Sequence, residues 1–140
     1  MCDIIRARSY LDQGFRCAVI KGQNVFVSDK RGIAPLIEMM DSGMDFSGGF
    51  AADKVVGKAA AFVYVKVGIS TLYAKVLSKA AIAELDRANV NYEYEELTDG
   101  IRNRKGDGPC PMENTVKDIA DVSKGIDALR RKVAELKANG

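Results

Sequence analysis

This chain of 140 residues contains no histidine. The commonest general base near neutral pH and the commonest metal ligand are therefore both missing. A Ser-His-Asp triad, an HExxH metal site and a Cys-His dyad cannot be assembled from this chain alone. Cysteine is sparse: Cys2, Cys17 and Cys110 are the three present. No two of them have the close spacing of a zinc knuckle or a redox CxxC. Long apolar runs are also absent. No stretch reaches the roughly 18 residues of a membrane span. Asp3, Arg6 and Arg8 interrupt the start of the chain, where an export signal needs continuous apolar sequence. These features give the expectation of a cytoplasmic protein that does not enter a membrane. A strong excess of one charge is lacking too. The formal net charge is +2, with lysine and arginine spread along the chain, so nucleic acid is not an indicated partner.

What is present suits a folded domain. Hydrophobic residues make up 47% of the chain, a normal globular share, and the length suits one core. We expect a single domain over 1–140. Helical spacing of Ile4, Ala7 and Leu11 predicts a first helix over 3–13, ended by Gly14. Two runs rich in Val, Ile and Phe flank Lys21-Gly22-Gln23-Asn24 and predict a β-hairpin with strands near 16–21 and 24–28. Ile33, Leu36, Ile37 and Met40 repeat at helical spacing, and Gly43 closes that helix. Ser42 to Gly49 reads as a loop. The long apolar stretch from Phe50 to Val65 reads as a buried helix, with Gly57 inside it marking close packing. Thr71–Leu77 reads as a strand, and Ser78 as the N-cap of a helix over 79–88. Tyr92–Leu97 reads as a further strand. A charged loop runs from Asp99 to Pro109, and a short helix follows Pro111. Ile126, Leu129, Val133 and Leu136 mark an amphipathic C-terminal helix over 123–138. The expected architecture is α/β, with a mixed sheet of about four strands, opened by the hairpin and flanked by helices.

Three separated blocks carry a resemblance: Arg31-Gly32-Ile33-Ala34-Pro35-Leu36, Ala52-Asp53-Lys54-Val55-Val56-Gly57-Lys58-Ala59-Ala60-Ala61, and Ile101-Arg102-Asn103-Arg104 through Gly106-Asp107-Gly108 to Cys110-Pro111-Met112-Glu113. With them the chain, from about Leu11 to Asp121, resembles the DUF1893 domain family of the cytidine-deaminase-like superfamily. The resemblance implies a three-layer deaminase-like fold. In active cytidine deaminases, one helix start supplies a His or Cys ligand and a Glu proton shuttle, and another supplies a Pro-Cys-x-x-Cys pair. The corresponding places here are an Asp53–Lys58 helix and the Cys110–Glu113 turn. The first offers neither cysteine nor histidine, and the second offers one thiol where two belong. A zinc held by Cys110, Asp53 and Glu113 would be opposed by the neighbouring lysines. Neither metal nor cofactor is expected.

Several residues stand out as candidates. Pro111 suits a first helical position, which makes Cys110 the N-cap, and Glu113 falls where it can cap the same turn. Cys110 reads either as a nucleophilic or ligand-binding thiol or as a small side chain packed under a loop. With no histidine to act as base, the second account is the stronger. Lys54 and Lys58, four apart on one expected helix face, form with Arg102 and Arg104 a candidate site for a small anionic or nucleotide-like ligand. A solvated helix edge paired to Asp53 or Asp107 is the plainer account. Asp107, within Gly106-Asp107-Gly108, could orient a ligand hydroxyl or simply make a turn. Cys17 reads as a small hydrophobe. The leading expectation is a ligand-binding pocket. The alternatives are a Cys110-dependent enzyme and a structural or protein-partner domain, including a homo-oligomer formed through the terminal helix.

Overall fold

The computed structural model describes residues 2–30, 32–101 and 110–139. Helix α1 (Asp3–Asp12) is followed by β1 (Cys17–Lys21) and β2 (Asn24–Ser28). The two strands pair antiparallel around a two-residue turn, with Lys21 opposite Asn24. Gly22 has φ +59° while Gln23 keeps a negative φ, the pattern of a type II′ turn with glycine at its first position. Helix α2 (Ala34–Asp41) leads to β3 (Phe50–Val56), α3 (Lys58–Val67), β4 (Thr71–Ser78), α4 (Lys79–Arg87) and β5 (Asn91–Thr98). Two more helices, α5 (Pro111–Val116) and α6 (Val122–Asn139), complete the order.

The sheet has five strands in the order β2-β1-β3-β4-β5. β1 runs antiparallel to β2 and β3, whereas β3, β4 and β5 are parallel. A mixed sheet flanked by helices is what the sequence predicts, but with one strand more. The difference lies in Phe50–Val56, expected as the first half of a helix and found as a central strand. It pairs with β1 on one side and β4 on the other. A strand covered on both faces loses the alternation of apolar and polar residues that identifies most strands, and reads like a buried helix. The helix begins only at Lys58, with Gly57 as its N-cap.

The two faces of the sheet are covered unequally. On one face, among the described residues, α1 packs Ala7 and Leu11 against Ala18, Ile20, Ala52 and Tyr73. On the other, α3 is the central helix, with every residue from Ala59 to Tyr64 buried. The helix α4 starts as predicted: the Ser78 hydroxyl accepts the Ala81 amide at 3.1 Å. α6 lays Ile126 and Leu129 into the same core. At Gly125 a Cβ would run into the fully buried ring of Phe62, so the absence of a side chain sets how closely α6 meets α3. Of the predicted stripe, Leu136 alone is exposed. The stripe covers the chain's own core, which weakens the reading of α6 as a docking helix. Among the described residues no helix is long and apolar enough to cross a membrane.

Candidate functional site

A cleft of about 1070 Å³ opens at the carboxyl ends of the parallel strands, the end at which open α/β sheets hold ligands. Asp53 and Val55 of β3 and Val76 of β4 border it, beside Cys17 at the start of β1. The starts of α2 and α5 and the last turns of α6 complete the wall. Arg16, Lys30 and Lys137 also border the cleft, so among the described residues three cations stand beside a largely aliphatic lining.

Asp53 is the least expected feature. Its neighbours in β3 are apolar or face away, and only 8% of the residue is exposed. The Tyr64 hydroxyl of α3 donates to its Oδ2 at 2.7 Å, and the Val55 amide donates to Oδ1 at 3.3 Å. Among the described residues Asp53 has no ion-pair partner. Burial pushes its carboxyl up to about 7, and the Tyr64 bond, the Val55 and Lys54 amides and the charge of Arg16 oppose that rise without cancelling it. Cys17 stands directly opposite Asp53 across the β1–β3 pair. Burial, then the Asp53 charge, raise its thiol far above the ordinary range, which makes it an inert neutral group. Burial also raises the Tyr64 phenol, so Tyr64 acts as a hydrogen-bond donor.

Glu113 behaves differently, although it borders the same cleft. Its Oε1 accepts the Lys58 amide at 2.7 Å and its Oε2 accepts the Ala59 amide at 2.8 Å. These are the first two amides of α3, which have no partner within the helix. The sequence suggests that Glu113 caps its own turn; instead it caps a helix more than fifty residues away in the chain. A Cβ on Gly57 would collide with the Glu113 carboxylate and with Ile101, so Gly57 marks close packing as expected, at the mouth of a helix rather than inside one. Burial raises the Glu113 carboxyl above its usual range, against the pull of the Ala59 and Lys58 amides and the Lys58 charge.

The other predicted site residues are scattered. Cys110 is the N-cap of α5, as predicted, partly exposed and bordering the cleft. The Asp53 and Cys110–Glu113 blocks, distant in sequence, therefore meet at one cleft. Lys54 and Lys58 do not share a helix face. Lys54 lies within β3, on the opposite face from Asp53 because successive strand residues alternate. Lys58 opens α3, and its ammonium donates to the Lys117 carbonyl at 3.1 Å. Arg102, Arg104 and Asp107 lie outside the described residues. The sequence reading missed Asp53 as an isolated group and missed Arg16. The available signal was a lone carboxylate in the apolar run Phe50–Val56.

Metal chemistry has few groups to draw on. Among the described residues, those of ligating type at the cleft are Cys17, Asp53, Cys110 and Glu113. Both oxygens of Glu113 are already engaged by amides, and Cys17 is held as a neutral thiol. Among the described residues no three His, Cys, Asp or Glu side chains converge closely enough to hold a metal ion.

Comparison with known proteins places this architecture. The family model described as a domain of unknown function, DUF1893, matches residues 6–133. The crystal structure of a DUF1893 family protein from Thermotoga maritima is similar over 94% of this chain and 91% of its own, with 25% identity and a TM-score of 0.84. It shares the mixed α/β arrangement. Two deaminases are similar over less of the chain. The dCMP deaminase from cyanophage S-TIM5 covers 66% of this chain and 93% of its own at 13% identity, with a TM-score of 0.46. A diaminohydroxyphosphoribosylaminopyrimidine deaminase/5-amino-6-(5-phosphoribosylamino)uracil reductase from Thermotoga maritima covers 66% and 35% at 11% identity, with a TM-score of 0.44. No curated protein matches the chain.

Proposed function

The chain belongs to the DUF1893 family, and we propose that this member binds a small anionic, nucleotide-like ligand in the strand-end cleft without a zinc ion. The observation that carries this reading is the cleft itself: an aliphatic cavity of about 1070 Å³ bordered by Arg16, Lys30 and Lys137. The volume suits a small metabolite. Guanidinium and ammonium groups are the usual partners of phosphate and carboxylate. Arg102 and Arg104 stay within the proposal as further anion contacts, and Asp107 as a partner of a ligand hydroxyl. Lys54 and Lys58 do not act as a pair in it. The cytoplasmic setting and any self-association belong to the same proposal and rest on the sequence alone.

Native mass spectrometry of the protein as purified, with neither metal nor chelator added, tests this reading. The expected result is a retained small molecule carrying phosphate or carboxylate, released on denaturation, with no bound zinc. A bare chain that also fails to bind inorganic pyrophosphate would contradict the ligand, and a stoichiometric zinc would contradict the metal-free site. A second reading, a thiol-dependent enzyme, is favoured by the partial exposure of Cys110 in the same cleft. Selective alkylation of Cys110 by iodoacetamide near neutral pH would support it, and a thiol as slow as an ordinary free cysteine would remove it.

A further inference from the structure

We propose that two copies of this chain join edge to edge, β2 against β2 in antiparallel pairing about a two-fold axis at Phe26, so that two five-stranded sheets become one. The proposal is independent of the ligand reading of the cleft. The sequence assigns self-association to the C-terminal helix, but α6 buries Ile126 and Leu129 in its own core, and the sheet offers another contact.

A sheet in the order β2-β1-β3-β4-β5 has two edges, β2 and β5. They differ in charge. β5 reads Asn-Tyr-Glu-Tyr-Glu-Glu-Leu-Thr, with Glu93, Glu95 and Glu96 all exposed. A second β5 laid against it would set carboxylates beside carboxylates, a common protection of a strand edge. β2 reads Asn-Val-Phe-Val-Ser, carries no charge and is half-buried along its whole length. Val25 and Val27 rest on the α1 side of the sheet, and Phe26 rests on the α3 side. An uncharged, largely apolar edge is a template for another strand.

The backbone of β2 is turned outward at the right residues. Lys21 and Asn24 flank the two-residue turn. In such a hairpin that pair exchanges both ladder bonds, and bonded and non-bonded pairs alternate from there. Phe26 then bonds to Val19, while Val25 and Val27 face Ile20 and Ala18 as non-bonded pairs. The N–H and C=O of Val25 and Val27 therefore point away from β1. Among the described residues no backbone group outside the sheet hydrogen-bonds to them.

The strand is also its own complement. With the axis at Phe26, Val25 of each copy lies opposite Val27 of the other, and the two exchange their outward bonds. Phe26 meets Phe26, and Asn24 meets Ser28. The charges at the ends agree with this arrangement. Lys21 and Asp45 pair at the turn end at 3.0 Å, and Asp29 and Lys30, both exposed, follow the other end. Antiparallel pairing brings the turn end of one copy beside Asp29 and Lys30 of the other. Opposite charges then meet at each end, and no excess of one sign gathers. A contact made by one short strand from each copy is small, so the dimer should be weak.

Sedimentation equilibrium of the whole protein, from micromolar to millimolar concentration, reads the association, and amide hydrogen exchange reads its place. The expected result is a dimer that forms as concentration rises. Exchange at the Val25 and Val27 amides should then slow by on the order of tenfold, with no such change along β5. One variant carries Val25→Lys with Val27→Lys, and another carries Val25→Glu with Val27→Glu. Each should be monomeric where the parent is dimeric, and mixing them should restore a one-to-one dimer, because each ammonium then faces a carboxylate. That recovery separates a broken contact from a damaged fold. A parent that stays monomeric throughout leaves the edge bare or to a strand of another protein, and overturns the proposal. A dimer whose Val25 and Val27 amides stay unprotected places the contact elsewhere and overturns it too, as do folded variants that remain apart on mixing. If the variants do not fold, the exchange result on the parent decides alone.

Discussion

Two carboxyl groups border one cleft and are held in opposite ways. At the mouth of α3, Glu113 meets the amides of Lys58 and Ala59 at 2.7 and 2.8 Å. On the strand floor, Asp53 meets the Tyr64 phenol and the Val55 amide at 2.7 and 3.3 Å, with the Lys54 amide beside them. Both carboxyls are raised by burial, but their surroundings offset the cost to different degrees. Glu113 joins α5 to α3 and completes a helix end, so its work is structural. Asp53 joins β3 to α3 through Tyr64 and borders the cleft. A polar group that satisfies its neighbours stabilises the fold. A carboxyl whose titration burial displaces beside a cavity is a candidate for function.

The largest expected effect breaks the Asp53 side of that contrast. Its folded-state value, about 7, lies above the ordinary 3.8. The folded protein therefore holds the Asp53 proton more tightly than the unfolded chain does. That contribution to stability is fully present below about pH 3.8 and is lost as pH rises through about 7. Asp53→Asn, which stays neutral, should gain on the parent by on the order of 4 kcal/mol between pH 4 and pH 8. Urea denaturation of both proteins at the two pH values measures it. A constant difference between them would show that Asp53 ionises in the fold without cost.

Glu113→Ala comes next. It leaves the first two amides of α3 without an acceptor, and we expect a loss of about 2–3 kcal/mol at neutral pH. Thermal unfolding read by circular dichroism checks it. If Glu113 contributed only charge, Glu113→Gln would cost as much as Glu113→Ala; the capping account expects the glutamine variant to keep part of the stability.

Tyr64→Phe sharpens the comparison by removing the donor on Asp53 Oδ2. The loss expected is about 1–2 kcal/mol, with the Asp53 titration midpoint moving further upward while that of Glu113 stays fixed. A midpoint that moves down would mean that the phenol is not the principal support of the charged form. The smallest effect belongs to an exposed pair far from both carboxyls. Arg130 donates to Asp41 at 2.7 and 2.6 Å, and Arg130→Ala should cost less than about 1 kcal/mol, a baseline for the two cleft residues in the same unfolding assay.

Much of the fold was legible where the signal is local. The hairpin turn at Gly22, the Ser78 cap and the stripe of α6 depend on residues within a few positions of one another, and each was found where expected. Phe50–Val56 was not legible because a doubly covered strand and a buried helix share one composition. That single misreading created the Lys54–Lys58 pair, since four residues apart on a helix is one face, whereas here a strand end and a glycine intervene. The roles of Cys110 and Glu113 split along the same line. The N-cap position of Cys110 follows from Pro111 beside it. The partner of Glu113 lies across the chain, and no local pattern names it. Asp53 left only a trace, one carboxylate in a mostly apolar run, which acquires meaning once the run is known to be the centre of a sheet.

The contrast between the two carboxyls is tested most directly by titrating both in the ligand-free protein, following their side-chain carbon-13 resonances from pH 3 to pH 9. The account predicts that Asp53 titrates near 7, with Glu113 above the ordinary glutamate range and Cys17 unreactive throughout. An Asp53 midpoint close to that of an ordinary aspartate would mean that water or an ion already compensates it, and would contradict the account that burial outweighs its hydrogen bonds.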